Sequence, residues 1–127
     1  MLKEIIIESN CAKITYRIDG IIHIHYSAHS FNLKETKELF STIRKNSPWD
    51  VSPFYITGDA FTSLDNESKK FNGSPEVIKH CSAIAIFSKS LGQKILANFY
   101  IKTIKPNTPT QFFTDEEKAI KWLMEFL

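Results

Sequence analysis

The first part of the chain alternates between apolar and polar positions with a period of two, the pattern of half-buried β-strands. Two such runs, residues 13–18 and 21–27, flank Asp19 and Gly20. Both turn residues tolerate positive φ, so the pattern predicts an antiparallel hairpin. The β-branched run at residues 5–7 predicts another strand. The apolar face of the predicted hairpin comprises Ile14, Tyr16, Ile18, Ile22, Ile24 and Tyr26.

Helical spacing follows the hairpin. Asn32 and Glu35 form a capping-box pattern, which predicts the start of a helix that ends near Asn46. Residues 54–57 predict a central strand that ends at Gly58. One short helix is predicted within residues 64–71, and another after Ser74, where Pro75 takes the first helical position.

The second half of the chain alternates strand and helix. Strands are predicted at residues 83–87 and 111–113, and a long helix is predicted to begin at Ser88. Thr114 with Glu117 predicts a capping box for a final helix. Alternation of strand and helix favours parallel pairing, whereas the opening hairpin requires antiparallel pairing. The predicted fold class is therefore α/β, with helices packed against a mixed sheet of five or six strands.

Composition limits the possible functions of the chain. Its 127 residues suit one domain, so residues 1–127 are expected to form a single domain. Sixteen basic residues face fourteen acidic ones, and this balance does not predict nucleic-acid binding. Cys11 and Cys81 form no CxxC pair, which favours free thiols in a reducing compartment. No apolar run has the length of a membrane span, and residues 1–10 lack the pattern of a signal peptide. The expectation is a cytoplasmic protein without a cofactor.

The order of elements, together with short stretches in the C-terminal half, resembles the STAS fold of bacterial anti-anti-sigma factors. The similarity is closer to the SpoIIAA-like proteins of bacteria. It is carried by the apolar strand at residues 82–88, by residues 96–100, and by residues 113–119 leading into Trp122 and Leu123. The resemblance implies a STAS-type fold and a regulatory role in which the domain binds a protein partner.

The resemblance also indicates a candidate contact site after the central strand. Anti-anti-sigma factors carry an Asp-Ser-Ser-Gly-like motif there, and one of its serines is phosphorylated. Asp65 matches this motif, but Asn66 stands at the first serine position and cannot accept a phosphate. A contact without the phosphorylation switch is therefore expected, from residues 59–71, which we call the corner. The predicted partner-binding residues of the corner are Asp59, Ser63, Asp65, Asn66, Glu67 and Ser68.

The first interpretation is a non-catalytic protein-interaction domain, expected to be a homo-oligomer, because no set of polar groups converges in a reaction geometry. An alternative is a carrier of a small apolar ligand, such as a lipid, held between the sheet and the helices. A third is a metal-dependent enzyme that uses His23 and His25, which share one strand face. No catalytic or metal-binding residue is assigned. His80 and Cys81 are adjacent, so their side chains are expected to point apart and not to form a nucleophile pair.

Overall fold

The computed structural model describes residues 4–9, 12–27, 30–58, 63–89 and 108–127. These residues form strands and helices in an order close to the prediction. The strands are β1 (Ile5–Glu8), β2 (Ala12–Tyr16), β3 (Ile22–Tyr26), β4 (Ser30–Phe31), β5 (Ser52–Gly58), β6 (Ser63–Leu64), β7 (Cys81–Phe87) and β8 (Thr110–Phe113). The helices are α1 (Leu33–Asn46), α2 (Asn66–Asn72), α3 (Pro75–Ile78) and α4 (Glu116–Met124).

Six strands form one mixed sheet in the order β1-β2-β3-β5-β7-β8. The β1/β2 and β2/β3 pairs are antiparallel, and the β3/β5, β5/β7 and β7/β8 pairs are parallel. This arrangement confirms the predicted α/β class and the mixed sheet. The two-residue strands β4 and β6 form a separate parallel pair, which the sequence pattern did not predict.

The two faces of the sheet carry different helices. On the α1 face, Leu39 and Ile43 of α1 pack against a buried cluster that includes Ile14, Ile24 and Phe54. The Tyr16 hydroxyl donates a buried hydrogen bond of 2.6 Å to the carbonyl of Ile43, and this bond ties α1 to β2.

On the opposite, α4 face, Ala119 and Leu123 of α4 pack against Tyr55, Ala83 and Ala85. The small alanine side chains of β7 let the helix approach the sheet closely. α4 makes most of its sheet contacts with β5, β7 and β8. His23 of β3 lies on the same face, because its ring contacts Tyr55.

Two local predictions are wrong. Ile18 was expected on the apolar face of the hairpin, but β2 ends at Tyr16 and the Ile18 side chain is 60% exposed, because the hairpin turn has already begun. Thr114 was expected to cap the last helix. Asp115 does so instead, with its carboxylate accepting from the backbone N–H groups of Glu117 and Lys118. A carboxylate at this position also interacts favourably with the helix dipole.

The capping box of α1 is confirmed. The backbone N–H of Glu35 donates to the Asn32 side chain at 2.9 Å, and the N–H of Asn32 donates to the Glu35 carboxylate at 3.2 Å. The long helix predicted from Ser88 falls largely on residues 90–107, outside the described residues. Among the described helices, none combines the length and apolar character needed to cross a membrane.

Candidate functional site

The corner is held on the body of the domain by backbone pairing. Ser63 and Leu64 of β6 run parallel to Ser30 and Phe31 of β4. The next backbone N–H, that of Asp65, donates to the carbonyl of Phe31 at 3.1 Å. These bonds position the start of α2 relative to the N-terminal end of α1.

A chain of side-chain hydrogen bonds fixes the first turn of α2. The Thr36 hydroxyl donates to the Ser68 hydroxyl at 2.8 Å, and this bond is buried. The backbone N–H of Ser68 donates to the Asp65 carboxylate at 2.8 Å, so Asp65 is the N-cap of α2. Hydrogen bonds from the side chain and the backbone of Ser68 lower the pKa of Asp65 below its ordinary value. The polar atoms of Asp65 and Ser68 are therefore used to build the turn.

The residues predicted for this site have separate roles. Ser68 has 0% of its surface exposed, so its side chain supports α2 and does not face solvent. Asn66 and Glu67 are exposed, and neither side chain hydrogen-bonds to another described residue. Ser63 contributes its backbone to β6, and Asp59 lies outside the described residues. The first turn of α2 thus presents the exposed polar side chains of Asp65, Asn66 and Glu67, and Lys69 and Lys70 are exposed further along the helix.

A second polar group lies on the α4 face and was only partly expected. His23 and His25 share that face, as predicted, and Thr57 of β5 lies between them. The Thr57 hydroxyl oxygen is 2.8 Å from Nε2 of His23 and 2.7 Å from Nδ1 of His25. The His23 ring also lies against Tyr55, with ring centroids 4.7 Å apart. The role of Thr57 could not be predicted, because it depends on the pairing of β3 with β5.

The electrostatics of this histidine pair disfavour a cation. Burial, followed by the charges of His25, Arg17 and Lys13, lowers the pKa of His23 to about 4. His23 is therefore neutral at pH 7, the form in which an imidazole can coordinate a metal. The basic residues that lower its pKa would, however, also repel a metal ion. Among the described residues, no group of three or more His, Cys, Asp or Glu side chains is placed to hold a metal.

His80 and Cys81 have different hydrogen-bond partners, because His80 lies in the turn before β7 and Cys81 begins the strand. The Cys81 thiol is buried and donates to the carbonyl of Ala83 at 3.3 Å, and burial raises its pKa to about 12. His80 instead places Nδ1 2.9 Å from the carbonyl oxygen of Asp50. Cys81 is therefore a protonated core residue whose thiol bonds to Ala83, not to the His80 imidazole.

Comparison with known proteins assigns this architecture to a family. A family model described as a domain of unknown function, DUF7793, matches residues 14–127. The chain belongs to the DUF7793 family. The comparison with curated proteins found no match.

The DUF7793 domain is similar to a solved structure of an uncharacterized protein from the DUF3478 family, from Shewanella loihica PV-4, with a SpoIIAA-like fold. The similarity has a TM-score of 0.57 at 13% sequence identity, and it covers 95% of this chain and 92% of that one. The predicted SpoIIAA-like fold is thereby confirmed. At this identity the likeness shows the fold alone.

The DUF7793 domain also has an apolar cavity on its α1 face. The cavity has a volume of about 380 Å³ and lies between the sheet, α1, α2 and α3. Most of its lining is apolar, and it includes Ile24, Leu39, Phe54, Ile56, Val77, Ile84 and Ile86. This is the location that the sequence predicted for a bound apolar ligand.

Proposed function

We propose that this DUF7793 domain is a non-catalytic protein-interaction domain whose partner contacts the first turn of α2. The observation that carries the proposal is the division of roles in the corner. Asp65 and Ser68 fix the turn, while the side chains of Asn66 and Glu67 are exposed and make no hydrogen bond to another described residue. A rigid polar turn of this kind loses little conformational entropy on binding.

The absence of a serine at position 66 sets the expected mode of binding. Phosphorylation adds charge and three acceptor oxygens, and can reverse a contact. Asn66 cannot be modified in this way, and Ser68 is buried behind it. We therefore expect binding at this turn to be independent of a kinase.

A capture experiment with matched variants tests this function. The tagged domain is used as bait, and bound proteins are compared for the wild type, Asn66→Ser, Asn66→Asp and Glu67→Arg. The control is Glu117→Arg, which also removes a carboxylate from the first turn of a helix and thus has a similar effect on the helix dipole. The corner variants should lose the partner while the control retains it. Equal recovery with all variants would contradict the proposed site.

The edge of the sheet supports association between copies. β1 is an edge strand, and Ile5 and Ile6 are 43% and 52% exposed. Exposed apolar residues on an edge strand favour pairing with another strand. Ile6→Lys should shift the protein towards the monomer in size-exclusion chromatography with light scattering, whereas Ile18→Lys, at a comparably exposed site away from the edge, should not. A wild-type protein that is monomeric at high concentration would contradict association.

The apolar cavity supports a second candidate function, a carrier of a small apolar ligand. Native mass spectrometry of the purified domain tests it, because a bound lipid would appear as a fixed mass increment. The carrier has second place because its support is the apolar lining of the cavity alone. A protein that carries no increment, even after incubation with fatty acid, would argue against the carrier.

A further inference from the structure

A groove of about 650 Å³ runs between α1 and the segment that contains α3. Its α1 wall carries Lys37, Phe40, Arg44 and Lys45. Spacings of three and four residues link Lys37 to Phe40 and Ser41, and these in turn to Arg44 and Lys45, so the side chains lie along one side of the helix. The groove is separate from the exposed turn at Asn66.

The floor of the groove is aromatic. The rings of Phe40 and Phe71 meet edge to face, with centroids 5.7 Å apart and an interplanar angle of 76°. The His80 ring lies 6.4 Å from Phe40 and extends this surface. Both phenylalanines are only half-buried, so part of each ring faces the groove. The floor can therefore accept one apolar side chain from another molecule.

The walls of the groove are basic. Lys37, Lys45 and Lys79 line it together with Arg44, and Glu76 is the carboxylate among its described lining residues. Asp50 lies 3.7 Å from Arg44, so the guanidinium is partly neutralised. The Nζ of Lys37 is 5.7 Å from the centroid of Phe71 and holds positive charge directly over the floor.

We propose that this groove binds an acidic segment of a protein partner, a claim that rests on the proposed protein-binding function. An aliphatic or aromatic side chain of the segment packs on Phe40 and Phe71, and flanking carboxylates pair with Lys37, Lys45 and Lys79. Charge complementarity selects an acidic occupant. A peptide fits better than nucleic acid, because the chain has sixteen basic against fourteen acidic residues and the basic side chains surround an apolar floor.

The test uses a fluorescein-labelled peptide of about a dozen residues in which Asp and Glu flank a central Phe, a length suited to binding in a groove. Binding is followed by fluorescence anisotropy at about 50 mM and about 300 mM salt, which brackets physiological screening. The groove variant combines Lys37→Gln, Lys45→Gln and Lys79→Gln. The matched control combines Lys13→Gln, Lys118→Gln and Lys121→Gln, three exposed lysines outside the groove.

Removing the groove lysines should weaken binding about tenfold, because each exposed ion pair contributes little by itself. The control variant should stay close to wild type, and replacing the central Phe of the peptide with Ala should also weaken binding. Equal losses in the two triple variants would overturn the proposal, as would tighter binding of a DNA duplex than of the peptide. Asn66→Ser, which changes no charge and lies at the start of α2, should leave peptide binding unchanged, so a failure of the groove can be distinguished from a failure of the proposed contact at Asn66.

Discussion

His23 makes the stability of the domain depend on pH. Burial and the neighbouring charges of His25, Arg17 and Lys13 lower its pKa from 6.5 to about 4 in the folded protein. As the pH falls below about 6.5, the unfolded chain takes up a proton at this residue and the folded chain does not. The unfolded state then binds more protons, so the free energy of unfolding decreases as the pH falls from about 6.5 to about 4.

The size of the effect follows from the shift in pKa. A change from 6.5 to about 4 would correspond to about 3 kcal/mol if the imidazole were fully enclosed. Because His23 is only partly buried, solvent screens part of this energy. We therefore expect the free energy of unfolding to fall by roughly 1 to 2 kcal/mol as the pH decreases through this range. That is a large fraction of the stability of a small domain.

The assay is urea unfolding of the wild type and His23→Gln at several pH values between about 4 and about 7. His23→Gln also removes the ring that lies against Tyr55, so the variant should be less stable at pH 7. The comparison therefore concerns the slope of stability against pH. Between about pH 7 and about pH 4, the free energy of unfolding of the wild type should fall by about 1 to 2 kcal/mol more than that of the variant. Equal slopes for the two proteins would show that folding does not lower the pKa of His23.

Three further substitutions test the packing that frames the candidate site. Ser68→Ala leaves the buried Thr36 hydroxyl without its acceptor and should cost about 1 to 2 kcal/mol in urea unfolding, with Ser41→Ala as an exposed helical control; no difference from the control would contradict this role. Tyr55→Phe removes a buried hydroxyl that has no hydrogen-bond partner among the described residues. It should raise the free energy of unfolding by up to about 1 kcal/mol, and with it the melting temperature. A lower melting temperature would indicate that the hydroxyl is bonded after all. Gly20→Ala should cost about 1 kcal/mol, because Gly20 has a φ of 96° that alanine adopts with strain; an unchanged denaturation midpoint would argue against that strain.

The elements that could be predicted are those in which local chemistry and the global fold agree. The Asp19-Gly20 turn, the capping box of Asn32 and Glu35, and the apolar run of β7 each carry a local signal, and each is confirmed. The exact cap of α4 was missed because Thr114 and Asp115 are both good caps, and only the backbone geometry decides between them.

The candidate site was less predictable, because its decisive contacts join distant parts of the chain. Ser68 and Thr36 are separated by 32 positions, and neither residue type signals burial in sequence. The contacts of Thr57 were likewise not predictable, because Thr57 reaches His23 and His25 only through the parallel pairing of β5 with β3. The strands β4 and β6 have two residues each, which is too short for a periodic pattern.

The most direct measurement is site-specific photo-crosslinking from the first turn of α2. A photoreactive amino acid replaces Asn66 in one protein and Lys121, an exposed position on α4, in another, and adducts are identified by mass spectrometry after irradiation with cell extract. We expect one protein adduct from position 66 that is absent from position 121 and disappears in the Glu67→Arg background. Identical adduct patterns from the two positions, or none from position 66, would contradict the claim that this turn contacts a partner.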